Sequence, residues 1–198
     1  MRVSPFAGRT LASLAAAITI AVGSVTVSAA GKPKAGNPKV EMTIADKGAM
    51  VIELYPKAAP KTVAHFLDLV HKHFYDGILF HRVIPGFVAQ AGDPKSKTVK
   101  GSAIANIPAE QTGLGDGGSG TNVPLEVNLS HDRGTLGLAR ASDKNSGDSQ
   151  FFFNLVPNHS LDTGYCVFGK IVKGLNVMDA IKQGDKIATV RAITPGKP

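Results

Sequence analysis

The stretch Phe80–Asp93, FHRVIPGFVAQAGD, constrains this chain more than any other. It sets a cation, Arg82, and an amide, Gln90, among Phe80, Val83, Ile84, Phe87 and Val88. Alternation of period two over Phe80–Ile84 predicts a strand, and Pro85-Gly86 predicts the turn that reverses or bends it. Phe87-Val88-Ala89-Gln90 then reads as a second strand, with Phe87 and Ala89 on one face and Val88 and Gln90 on the other. A guanidinium beside apolar side chains, with neither Ser nor Cys nearby, suits holding a neutral carbonyl against an apolar wall. It does not suit nucleophilic chemistry. Taken alone, the same residues also describe a core hairpin whose Arg82 lies along apolar surface and carries its charge to water.

The first 30 residues are a segment of another kind. Arg2 and Arg9 precede an apolar, Ala-rich run from Leu11 to Val27, no acidic residue occurs before Glu41, and Ser28-Ala29-Ala30 supplies small side chains. The pattern predicts a secretory signal peptide over residues 1–30, cleaved after Ala29 or Ala30. A retained membrane anchor is the alternative, but the run is near the ~17-residue minimum for a span and is diluted by Ala, Gly, Ser and Thr. No Cys stands near the cleavage point for a lipid. The expectation is an exported chain, periplasmic in the first place and secreted otherwise, with no membrane attachment after cleavage. Residues 31–38, GKPKAGNP, read as a flexible leader, and 39–198 as the domain.

Charge and cysteine content exclude further classes. The 22 basic residues lose Arg2 and Arg9 on cleavage, leaving 20 against 15 acidic ones, a modest +5. The lysines are scattered without interleaved aromatics, so no nucleic-acid partner is expected. Cys166 is the only cysteine and no internal disulfide can form. A chain of 198 residues has room for one domain with a full core, and stability must come from that core.

Along the domain, Val40, Met42 and Ile44 alternate with polar residues, Asp46-Lys47-Gly48 makes a turn, and Met50–Leu54 completes a hairpin. A helix opens at Pro60 or Lys61 and ends near His73, with Val63, Phe66, Leu67 and Val70 as its buried face. His65, His71, His73 and His81 lack ligand-spaced partners, and no metal is assigned. Residues 94–134 are the least regular part. Gly113–Gly120, GLGDGGSG, lacks the GK[ST] and helix of a phosphate cradle and reads as a loop needing positive φ or close approach to a bound chain. Val123, Leu125 and Val127 predict a short strand, and Gly134–Ala139 another, with one side small enough for something to lie against it. Gln150–Phe153 restarts a strand that places Phe151 and Phe153 on one face and Phe152 on the other. Cys166–Ile171 and Ile187–Ile193 are strands, and Leu175–Lys182 is an amphipathic helix with Val177, Met178 and Ile181. About eight strands and two helices without βα alternation predict a mainly β fold, an antiparallel barrel plugged by helices.

FHRVIPGFVAQAGD, then SQFFF at 149–153, then VFGKIVKGLNVMD at 167–179, with KTVAHF at 61–66, resembles the cyclophilin family of peptidyl-prolyl cis-trans isomerases, in its exported bacterial branch. The resemblance runs from about Pro38 to Ile193. It implies an eight-stranded antiparallel barrel capped by two helices, with a substrate groove outside it, and X-Pro bonds of exported polypeptides as substrate. No cofactor is implied, since no bond is broken. By motif position Arg82, Phe87 and Gln90 are catalytic, Arg82 as donor and Gln90 as its orienting partner. Phe87, Val88, Phe152 and Leu161 form the proline pocket, Ala139 and the backbone of Arg140 border the substrate chain, Tyr165 completes the rim, and Gly115 to Ala139 borders a neighbouring subsite. Four positions depart from the best-known eukaryotic pattern: Val88 for Met, Arg140 for Asn, Tyr165 for His, and Ser160 where a Trp would contact cyclosporin. Catalysis is expected to survive, tight cyclosporin binding is not, and a monomer is expected. Residues 94–111 exceed the compact members and receive no role. Two further classes stay open, a module that only binds Pro-containing segments and a hydrolase using Ser149 or Ser160 with His159 and Asp162. The second lacks the G-x-S-x-G elbow.

Overall fold

The structure is a computed structural model and describes Met1 and residues 36–193. The expected signal peptide and most of the leader lie outside the described residues. The leader's last residues are tied down, because Pro38 accepts from Leu54 N at 2.8 Å and the Asn37 amide donates to Glu53. Among the described residues, no helix is long and apolar enough to cross a membrane.

Eight strands follow in chain order: β1 (Lys39–Ile44), β2 (Gly48–Leu54), β3 (Arg82–Ile84), β4 (Val88–Ala91), β5 (Thr135–Leu138), β6 (Phe151–Asn154), β7 (Cys166–Lys173) and β8 (Ile187–Ile193). They form one antiparallel sheet in the order β3-β4-β6-β5-β7-β2-β1-β8. The two ends of the sheet meet, since Leu79, ahead of β3, bridges Lys186, ahead of β8, and Phe80 N donates to Asp185 O at 2.8 Å. Mainly β, antiparallel and eight-stranded is the architecture expected from the alternation. The inward faces fill the barrel: Val40, Met42, Ile44, Met50, Ile52, Leu54, Ala89, Leu136, Phe151, Phe153 and Phe168 are all at most 1 % exposed.

Helix α1 (Pro60–His71) closes one end. Its buried residues are Thr62, Val63, Phe66, Leu69 and Val70, so Leu67 of the expected face is only partly covered. Phe66 centres the buried arc, and Leu67, about 100° around the helix, falls at its margin. Ala59 offers no side-chain cap; Glu126 supplies it instead, accepting from Lys61 N at 3.1 Å and Thr62 N at 2.9 Å. This carboxylate satisfies orphan donors at the positive end of the helix dipole. It also explains why the expected Val123–Val127 strand is absent. Only Val123 forms a bridge, to Gly147, after which Pro124 offers no N–H and Glu126 is committed to α1.

Two shorter helices complete the fold: α2 (Gly101–Ile104), a single turn inside the 94–111 insertion, and α3 (Leu175–Asp179). No periodicity in the sequence announces α2. Gln183 holds that insertion down, donating to Ile104 O at 2.7 Å and Ile107 O at 2.8 Å. The expected 175–182 helix stops early, but Val177, Met178 and Ile181 are buried as its period required. Phe66 packs with ring centroids 5.1 Å from Tyr75, 5.2 Å from Phe168 and 6.0 Å from Phe151. Replacing Phe66 with Ala is expected to cost about 3–5 kcal/mol in guanidinium unfolding; a loss below about 1 kcal/mol would mean that this cluster does not anchor α1.

Candidate active site

The hydrogen-bond register of four strands places one row of residues side by side on the outer face. Arg82 opposes Gln90, Gln90 opposes Phe152, and Phe152 opposes Gly137. The next row, Val83, Ala89, Phe153 and Leu136, belongs to the interior. Period-two pleating therefore separates Phe152 from its two neighbours, as the FFF run required. Phe87 departs from the expected pattern. It lies in the turn before β4 rather than in the strand, so alternation does not govern it and its ring joins Val88 on the outside.

Arg82, Phe87, Val88, Gln90, Ala139, Arg140, Phe152, Leu161 and Tyr165 line a single cavity of about 370 Å³. All nine residues singled out by motif position thus face the same space. Its floor is the Phe152 ring, 5 % exposed, which lies over Gly137. A Cβ at Gly137 would stand 2.4 Å from Phe152 Cζ, so only glycine there lets the ring lie flat. That ring is what lies against the small side of β5.

The Arg82 guanidinium sits 5.9 Å from the Phe87 ring centroid, with Nη1 3.5 Å from Gln90 Oε1. This loose contact orients the guanidinium without consuming its donors, and such contacts tighten when substrate arrives. Gln90 in turn donates to Gln150 Oε1 at 3.0 Å, and Gln150 donates to Gly117 O at 2.8 Å. The relay fixes which end of the Gln90 amide faces Arg82. In the sequence Gln150 only opens a strand; its part shows only once the strands are in register.

The glycine loop wraps a carboxylate. Asp93 is fully buried and accepts from Lys95 N at 2.8 Å, Gly115 N at 2.6 Å and Gly117 N at 3.2 Å. A Cβ at Gly117 would fall 2.1 Å from Asp93 Oδ1, so the close approach here is to Asp93 rather than to a bound chain, while Gly113, Gly115 and Gly120 take the positive φ expected of the loop. Asp93 before Pro94 has the pattern of a helix start, the one local feature that marks this residue.

Behind the cavity lies a buried polar network. Asn158 donates to Phe87 O at 3.0 Å and to Asn154 Oδ1 at 2.8 Å. Asn154 donates to Thr135 Oγ1 at 2.9 Å and meets His131 Nδ1 at 3.0 Å. Since Asn154 offers a donor, His131 Nδ1 accepts, and its Nε2–H points to Tyr165 O at 3.3 Å. The His131 ring stacks on Phe152 at 5.6 Å and 13°. One neutral imidazole therefore braces the floor and the Tyr165 rim together. No local sequence pattern marks His131.

The hydrolase alternative finds no support. Ser149 is buried with Oγ donating to Gly92 O at 2.8 Å, while His159 faces Asp162 and Asp132. Of the other histidines, His71 and His73 are exposed at the end of α1, and His65 pairs with Asp148 at 3.1 Å. His81 differs from them, being 2 % exposed with neither ring nitrogen partnered among the described residues. Burial in the sheet-closing segment explains the difference. Burial also pushes the Cys166 thiol up to about 11, which leaves it inert as a nucleophile.

Burial lowers the pKa of both His81 and His131, opposed in the first by Asp93 and in the second by the Tyr165 carbonyl and Asp162. Each folded-state value lies below that of the unfolded chain, so the unfolded state takes up the proton first. Stability is present in full above about pH 6.5 and declines as pH falls below it. A lower guanidinium midpoint at pH 5 than at pH 7.5 is expected, with part of the difference removed in His131→Gln. A flat profile would contradict the neutral, network-bound imidazole.

Three comparisons bear on this site. The family described as cyclophilin type peptidyl-prolyl cis-trans isomerase matches residues 39–195. A probable peptidyl-prolyl cis-trans isomerase of Brucella suis is 36 % identical over 193 residues, 96 % of this chain and 92 % of that one. Peptidyl-prolyl cis-trans isomerase B of Bacillus subtilis is 39 % identical over 149 residues, 74 % of this chain and 92 % of that one. Among solved structures, a cyclophilin of Cryptosporidium parvum determined in the presence of the dipeptide Ala-Pro aligns with a TM-score of 0.64 and 26 % identity, covering 79 % of this chain and 99 % of that one. With the barrel, the outer-face cavity and these likenesses in agreement, the chain belongs to the cyclophilin-type peptidyl-prolyl cis-trans isomerases.

Proposed function

We propose that the chain accelerates rotation about X-Pro bonds in exported polypeptides and so assists their folding, with Arg82 stabilising the twisted amide. The observation that carries this reading is the placement of an unpaired guanidinium, held by Gln90, in a cavity that it shares with the apolar side chains Phe87, Val88, Phe152 and Leu161. Uncatalysed rotation crosses a barrier of ~18–20 kcal/mol and takes tens to hundreds of seconds. At the top of the barrier amide resonance is lost, the nitrogen becomes more basic and the carbonyl more ketone-like. A donor whose bond strengthens as resonance fades binds that state better than either planar isomer. Each ~1.4 kcal/mol of such preference is a factor of ten. Phe87, Val88, Phe152 and Leu161 hold the proline ring while the X side turns. No nucleophile, metal or cofactor enters the reaction.

The pure binding-module alternative would be favoured by loss of Arg82, Phe87 or Gln90, and all three are present. The pattern of residues 1–30 supports export, to a periplasm first, and removal of the segment leaves a soluble monomer in this reading. A fusion of residues 1–30 to a reporter active only outside the cytoplasm tests it; a silent reporter would contradict export.

In a protease-coupled assay of residues 31–198, Arg82→Ala is expected to lower kcat/KM for a short X-Pro peptide about a hundredfold while the thermal midpoint stays near that of the parent. An unchanged rate would overturn the role of Arg82. Ser160 supplies no indole to cyclosporin, so inhibition is expected only above micromolar concentration, and sub-micromolar inhibition would contradict it.

A further inference from the structure

Four arginines fall among the described residues, and their surroundings divide them in two. Arg133 is paired with Asp179 at 2.6 Å and Arg191 with Asp76 at 2.7 Å. Arg82 and Arg140 pair with no carboxylate of the described residues, and both line the proline cavity. No Asp or Glu of the described residues lines that cavity. Arg82 has a task in the isomerase reading; Arg140 contributes only its backbone, and its side chain has none.

The Arg140 side chain is nevertheless held firmly. Its Nε donates to Gly164 O at 2.8 Å and its Nη1 to Ala141 O at 2.8 Å, and its guanidinium carbon lies 4.6 Å from the Tyr165 ring centroid. Carbonyls and a ring face fix the position of the group without cancelling its charge. Nη2 donates to none of the described residues. The result is a half-buried cation with one edge uncommitted, already immobilised and so spared much of the entropy cost that weakens surface ion pairs.

Its location says which part of the substrate it meets. A second cavity of about 400 Å³, lined by Gly115–Gly118, Gly120, Ser146, Asp148 and others, shares Gln90, Ala139 and Arg140 with the proline cavity. Arg82 and Gln90 address the carbonyl of residue X, so X lies on the side of proline that Gln90 shares with the second cavity. It therefore passes over Ala139 and Arg140. The second cavity carries Asp116 and Asp148, so an anion seated there gains nothing.

We propose that Arg140 is a specificity-determining residue, selecting X-Pro bonds in which X, the residue immediately before proline, is anionic. The inference rests on the isomerase reading and adds to it a class of substrate, Asp-Pro and Glu-Pro. Arg140 acts on recognition, so its effect appears in KM and in the ranking of substrates.

The test measures kcat/KM by protease-free exchange NMR for Ala-Glu-Pro-Phe, Ala-Ala-Pro-Phe, Ala-Lys-Pro-Phe and Glu-Ala-Pro-Phe. In the parent, Glu before proline is expected to exceed Lys by about threefold to fivefold, and Glu one residue earlier to give no gain over Ala. Raising salt from about 0.02 M to about 0.5 M should compress the ratio, a measurement that needs no variant. In Arg140→Gln the Glu-to-Lys ratio should fall to about one. Turnover of the Ala peptide with no preference at X, or a preference that survives high salt and Arg140→Gln, would overturn the proposal and leave the isomerase reading standing. No turnover of any of the four peptides would overturn the isomerase reading itself.

Discussion

The row Arg82–Gln90–Phe152–Gly137 depends on strand register, and the rest of the site depends on that row. Side chains alternate with period two, so a slip of one residue between β4 and β6 would turn Phe152 inward and Phe151 and Phe153 outward. The interior forbids this, because Phe151 and Phe153 fill the barrel beside Phe66, Tyr75 and Phe80. Core packing thus fixes the outer face. The energy that places the guanidinium beside the apolar floor comes from burial several ångströms below it.

A second layer removes the remaining freedom. The Gln90–Gln150–Gly117 relay sets the amide against Arg82, and the Asn158–Asn154–His131 network sets the Phe87 backbone, the Phe152 ring and the Tyr165 carbonyl. Buried polar groups in such a network are costly unless all are satisfied. Their presence directly behind the Phe152 floor is a local departure from the cheapest core, spent on orientation. In a reaction that breaks no bond, orientation of a donor and a wall is all that the protein has to supply.

Much of this was legible in the residues. The alternation of Phe151–Phe153 and of the β1–β2 hairpin followed from pleating, and the FHRVIPGFVAQAGD stretch named the hairpin that carries Arg82 and Gln90. The failures have physical causes. Phe87 escaped the alternation because it belongs to a turn. Val123–Val127 has strand composition, but Pro124 and the capping duty of Glu126 keep it out of the sheet. Gln150, His131, Asp93 and Gly137 act through partners 15 to 60 residues away, across strands and loops. Local pattern carries no trace of such pairings. The insertion at 94–111 offered no periodicity, and its anchor, Gln183, lies 79 residues beyond Ile104 in the chain.

The central claim is that the cavity binds the proline and Arg82 does the turning. Exchange NMR at saturating Ala-Pro peptide separates the two in the parent and in Arg82→Lys, which keeps the charge but loses the planar fork. The account predicts similar peptide affinity in both, with cis–trans exchange on the protein at least about tenfold slower in the variant. Equal exchange rates, or affinity lost in step with rate, would contradict it.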